Sequence, residues 1–176
     1  LAEREQIPIL SVDRSVLTKN LQTLFGELFS RPVDLPRGSG TPAATPDDLI
    51  DVLVAEDNPV NQIVFSQIIE GFGYRYAIAP TGPEAVRLWR EKCPRIVLMD
   101  VTLPEISGFE ACRVIRSLET GAYPVPIIGV LAHPFDRDRE QCLASGMDDV
   151  ILKPLSPEML EGVFAAHLHE GEAARA

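Results

Sequence analysis

Ile96-Val97-Leu98-Met99-Asp100 is an unbroken apolar run that ends on a carboxylate. A strand with no polar alternation is covered on both faces, as in a parallel sheet flanked by helices. Two further runs close in the same way. Val52-Leu53-Val54-Ala55 leads into Glu56-Asp57-Asn58, and Val150-Ile151-Leu152 leads into Lys153-Pro154. Three such strands delivering three acids and a lysine to one edge would form a site for a divalent cation and a phosphoryl group.

The segments between these runs have helical spacing. Val60, Ile63, Val64 and Ile68 predict a helix over 59–71 with these four residues on one face. A weaker strand, Tyr74 to Ala79, precedes a helix opened by Pro83, a favoured first-turn residue. Phe109, Cys112, Val114 and Ile115 mark the helix after Asp100. A strand at 126–131, a polar helix at about 135–145 closed by Gly146, and a strand at 149–152 follow. The last helix starts at Pro157 and points Leu160, Val163, Phe164 and Leu168 inward. Strands alternating with helices predict an α/β fold of (βα)5 type, a doubly wound five-stranded parallel sheet. In such sheets ligands sit beyond the carboxyl ends of the strands, where all the charged clusters fall.

Composition narrows the function classes. The 176 residues carry a net charge of −10 with no basic cluster, which argues against nucleic acid or anionic lipid as a partner. Cys93, Cys112 and Cys142 form no CxxC pair and read as buried or free thiols of a reducing cytosol. No apolar run reaches the ~20 residues of a membrane span. A first residue other than Met suggests a piece of a longer chain. Residues 30–48, with Pro32, Pro36, Pro42 and Pro46 and almost no large apolar side chain, read as a linker. They separate residues 1–29, a strand and amphipathic helix, from a domain at 49–170 and a flexible tail at 171–176. Two readings of 1–29 stay open: the end of a preceding degenerate copy of the same domain, or an interdomain helix of no special kinship.

The chemistry follows from the residue types. Magnesium takes oxygen ligands and keeps several waters, so Glu56, Asp57 and Asp100, with a backbone carbonyl just after Asp100, suffice. A carboxylate such as Asp100 can form an acyl-phosphate, and Lys153 would offset the charge building on the phosphoryl group. Singly, each element has an ordinary explanation as a helix cap, a turn residue or a loop. Together, all at strand ends and with Leu103-Pro104 and Gly108 following Asp100, they outweigh it.

Residues 50–168 resemble the receiver domain of two-component response regulators. The matching residues are Glu56-Asp57, the aspartate of Leu98-Met99-Asp100, Pro104, Gly108 and Lys153-Pro154. Ala55-Glu56-Asp57-Asn58, Val60-Asn61, Pro126-Ile127-Ile128-Gly129 and Ala144-Ser145-Gly146-Met147-Asp148-Asp149 are most similar to receivers of hybrid sensor histidine kinases. The resemblance implies the flavodoxin-like strand order 2-1-3-4-5. It implies Asp100 as phosphoacceptor, assisted by Lys153, with Mg²⁺ (or Mn²⁺) on Glu56, Asp57, Asp100 and the Thr102 carbonyl. The implied partners are the catalytic and dimerisation domain of a histidine kinase and a histidine phosphotransfer protein. The implied setting is bacterial cytoplasmic signalling, with the receiver C-terminal in a kinase parent that can itself be membrane-anchored. The fragment would be a phosphoacceptor rather than a stand-alone enzyme. Few residues follow Leu168, which disfavours a DNA-binding output domain.

Two positions depart from the family pattern. The usual Thr or Ser at the end of the fourth strand is Leu131, and the usual aromatic residue three before the lysine is Val150. The bland reading makes them a compensated apolar pair. His133, near the mouth of the site, is assigned no role. The alternative function is therefore a pseudo-receiver, an interaction module working without phosphate. A phosphohydrolase of similar topology would need a further general acid, for which no residue stands at a suitable strand end.

Overall fold

A computed structural model describes residues 49–120, 124–133 and 136–168. The expectations for 1–29, 30–48 and 171–176 lie outside these residues. The elements are β1 (Val52–Ala55), α1 (Pro59–Gly71), β2 (Tyr76–Ala79), α2 (Gly82–Lys92), β3 (Ile96–Asp100), α3 (Gly108–Leu118), β4 (Ile127–Leu131), α4 (Asp136–Ser145), β5 (Asp149–Leu152) and α5 (Pro157–His167). All strands pair in parallel, in the order β2-β1-β3-β4-β5. This is the expected α/β topology, and β1 and β3 flank its switch point.

Side-chain alternation along the strands builds two cores. Leu53, Ala55, Val97, Met99, Ile127 and Leu131 face α2, α3 and α4, where Ala85, Val86, Ala111, Cys112, Ile115 and Cys142 meet them. Val52, Val54, Ile96, Leu98, Ile128 and Val130 face α1 and α5, against Phe65, Ile69, Leu160, Val163 and Phe164. Successive strand residues point to opposite faces, so a sheet buried on both sides must be apolar throughout. The inward residues of α5 are those expected.

Only part of the expected α1 face turns inward: Val64 is half-buried and Ile68 packs against the core. Val60 and Ile63 are 66% and 58% exposed, whereas Phe65 and Ile69 are buried. The helix carries two overlapping apolar stripes, and contact with the sheet selects the one bearing the larger residue. The strand expected from Tyr74 also starts later, at Tyr76.

Helix starts are fixed locally. Asn58, Thr81, Ser107 and Ser156 each accept hydrogen bonds from first-turn amides of α1, α2, α3 and α5. Gly129 leaves room for two sulfurs: a Cβ there would lie 2.8 Å from Met147 Sδ and 2.9 Å from Cys142 Sγ, and these side chains would have to shift. Cys112 and Cys142 are buried and Cys93 is exposed, all as free thiols. Burial pushes the Cys142 thiol up to about 11 and raises that of Cys112, so both behave as small apolar side chains.

At the opposite edge from the charged clusters, Arg116 joins three segments. Its guanidinium donates to the carbonyls of Gly146 (2.8 Å) and Val125 (2.8 Å) and to Glu119 Oε2 (2.9 Å) and Asp148 Oδ2 (2.7 Å). Asp148 Oδ2 also accepts the Ile127 amide at 2.7 Å. Arg116→Met strands these acceptors together. The expected cost is about 2–3 kcal/mol, read as a lower urea midpoint at unchanged slope.

Candidate functional site

The ladder register sets β1 beside β3, with Ala55 opposite Met99, so the next residues, Glu56 and Asp100, meet at the carboxyl edge. Glu56 is completely buried, Asp100 is 5% exposed, and Asp57 faces solvent. Ligand oxygens of Glu56, Asp57 and Asp100 lie within 4.8 Å of one another. Lys153, just after β5, reaches past the end of β4. Its ammonium hydrogen-bonds Asp100 Oδ2 and lies 2.7 Å from Glu56 Oε2. Its own amide donates to the Leu131 carbonyl at 2.8 Å, which fixes the base of the side chain. The Lys153–Pro154 peptide bond is cis.

Electrostatics bind these groups into one unit. Burial pulls the Lys153 ammonium down, but its hydrogen bond to Asp100 and its close pairing with the charges of Asp100 and Glu56 outweigh it. The net shift is upward. Asp100 Oδ1 accepts the Thr102 amide at 2.8 Å, so the residue whose carbonyl was expected to complete the metal set lies against the Asp100 carboxylate.

The two oxygens of Glu56 have different surroundings. Oε1 accepts from the Asn58 amide (3.1 Å) and from Asn61 Nδ2 (3.0 Å). Oε2 is buried and has no hydrogen-bond partner of proper geometry, although the Lys153 ammonium is close. A buried oxygen left in this state is costly without a cation beside it. Three clustered carboxylates and an under-satisfied oxygen fit a hard divalent ion such as Mg²⁺, which would neutralise charge on the acids and on an incoming phosphoryl group.

The loop after Asp100 is held by close backbone approach. Gly108 donates its amide to the Val101 carbonyl at 3.1 Å, and a Cβ there would fall 2.1 Å from the Asp100 carbonyl oxygen. Backbone cannot move aside as a side-chain end can. Gly108→Ala should therefore cost about 1–3 kcal/mol in denaturant unfolding and displace the Asp100–Thr102 segment, weakening Mg²⁺ affinity in the same protein.

The departures at Leu131 and Val150 have a clear physical setting. Leu131 is 2% exposed, and both residues pack in the core on the α2–α4 face. That agrees with a compensated apolar pair. His133 is exposed. Asn61 and Gln62, to which the sequence reading gave no role, both bond Glu56: Gln62 Nε2 donates to its carbonyl at 2.7 Å. Their signal was polar residues in the first turn of a helix directly after the acids.

Residues 52–164 match the response regulator receiver domain family. The chain belongs to that family. The receiver is 38% identical over 120 residues to hybrid signal transduction histidine kinase I of Dictyostelium discoideum, covering 64% of this chain and 7% of that kinase. It therefore spans a small fraction of the curated kinases it matches. Among solved structures, it is similar to the receiver domain of sensor histidine kinase PA1611 from Pseudomonas aeruginosa PAO1, which has a magnesium ion in its active site cleft. The two share 36% identity and a TM-score of 0.63, over 69% of this chain and 98% of that one. It is also similar to a chain in the complex of the Saccharomyces cerevisiae phosphotransfer protein Ypd1 with the Ssk1 receiver. There the identity is 32% and the TM-score 0.59, over 64% of this chain and 84% of that one.

Proposed function

We propose that this receiver accepts a phosphoryl group on Asp100 from a phosphohistidine and relays signal within a hybrid histidine kinase. An Asp100 carboxylate oxygen forms the new P–O bond. The P–N bond to the imidazole breaks, and the imidazole nitrogen keeps the electron pair. Lys153 holds the acceptor carboxylate in place and offers its positive charge to the phosphoryl oxygens. Glu56, Asp57, Asp100 and the Thr102 carbonyl are the residues that would hold Mg²⁺, which supplies charge neutralisation. The observation that carries this reading is the Lys153 ammonium lying against both Asp100 and Glu56 inside a cluster of three carboxylates.

Val60 and Ile63, exposed beside the acids at the start of α1, support docking of a histidine phosphotransfer protein or a kinase helix on that side. The compartment in this reading is the cytoplasm. Addition of beryllofluoride with Mg²⁺ should shift the amide resonances of Asp57, Asp100 and Lys153. Unchanged spectra at saturating concentrations would count against phosphoryl acceptance.

Leu131 favours a second reading, that of a regulator needing no phosphate. An apolar side chain donates no hydrogen bond to a phosphoryl oxygen, a loss of about 0.5–1.5 kcal/mol. It also removes the hydroxyl through which two states would differ in contacts. Under this reading Asp100→Asn leaves partner binding unchanged by pull-down or calorimetry.

A further inference from the structure

We propose that Asn61 is a positioning residue for the divalent cation, acting through Glu56; this rests on the metal reading above. Helix N-termini favour acids, which accept amide protons and complement the macrodipole. The first turns of α2, α3 and α5 carry Glu84, Glu110 and Glu158, and Glu110 completes a capping box with Ser107. The first turn of α1 has no acid. At the third position of α1, where α3 has Glu110, stands Asn61.

The Asn58 amide, which a capping-box acid would satisfy, donates instead to Glu56 Oε1 at 3.1 Å. Asn61 Nδ2 donates to the same oxygen at 3.0 Å. Glu56 thus takes over the capping role from the preceding strand, and the helix supplies a neutral donor where an acid would add a further negative charge. Gln62 anchors the Glu56 backbone from the next position at 2.7 Å. With Oε1 occupied by two donors, the carboxylate cannot rotate freely. Oε2 stays paired with the Lys153 ammonium at 2.7 Å, within the cluster formed with Asp57 and Asp100. Groups that orient a metal ligand in this way commonly change affinity by 10–100-fold when removed.

The test is Mg²⁺ titration by amide NMR of wild type, Asn61→Leu, Glu56→Gln and the double variant, with metal-free urea midpoints for each. Asn61→Leu is expected to weaken Mg²⁺ affinity by about tenfold. In the Glu56→Gln background the same change should add less than about twofold, because its route to the metal is already gone. Wild-type affinity in Asn61→Leu, with only a lowered metal-free midpoint, would show a helix-capping role and overturn the inference. An equal loss in both backgrounds overturns it too, since Asn61 would then act without Glu56. A wild type that binds no Mg²⁺ overturns the metal reading itself and this inference with it.

Discussion

Asp100→Asn is expected to reduce phosphotransfer from a phosphorylated histidine kinase to background while the domain stays folded. A carboxamide oxygen is a poor nucleophile for phosphorus and cannot yield the same acyl-phosphate. The single amide oxygen of asparagine can accept the Thr102 amide or the Lys153 ammonium but not both, so one of these two contacts is lost. Three carboxylates meet one lysine in this site, so removing one of them relieves like-charge repulsion. In the absence of divalent ions the variant should unfold at an equal or higher temperature, by up to a few degrees for about 1 kcal/mol. The paired measurement is radiolabel transfer and thermal unfolding on the same preparation. Labelling of the variant at the wild-type rate would move the acceptor away from Asp100.

Lys153→Met should have the largest effect on stability. The change leaves Glu56, completely buried, and Asp100, nearly so, facing each other without a cation. Removing one partner from a buried charge cluster costs about 3–5 kcal/mol. Millimolar Mg²⁺ should recover much of this loss, since it binds the folded state and supplies the missing charge. The pH dependence has a definite sign. Burial lowers the folded-state pKa of Lys153, but its hydrogen bond to Asp100 and pairing with Glu56 outweigh this and leave it raised. Its stabilising contribution is therefore fully present through neutral pH. It is lost as pH climbs past the ordinary lysine value and through the raised one. The wild-type advantage over Lys153→Met should accordingly narrow in alkaline urea titrations. A constant gap across that range would separate the stability effect from the ammonium charge.

Much of the candidate site was legible because its signals are local. Strands buried on both faces must be apolar throughout, so β1, β3 and β4 stand out as continuous runs, and the charges closing β1, β3 and β5 mark the edge where a ligand sits. Pro83 and Pro157 likewise announce α2 and α5 within their own few positions. The paired departures Leu131 and Val150, and their reading as a compensated apolar pair, were also legible in the sequence, and the structure adds which face of the sheet they share.

What residue order by itself determined is the alternation of strand and helix and the placement of Glu56, Asp57, Asp100 and Lys153 at strand ends. Both follow from interactions within a few residues along the chain. Tertiary structure decided everything that depends on a distant surface. Residue order leaves two apolar stripes on α1, and only contact with the sheet buries Phe65 and Ile69 and leaves Val60 and Ile63 outside. Strand order decided that one lysine bridges two acids from different strands. Asn61 gained a candidate role only when β1 and the first turn of α1 closed around the Glu56 carboxylate. A hydrogen bond is sensitive to tenths of an ångström, and periodicity carries no information at that scale.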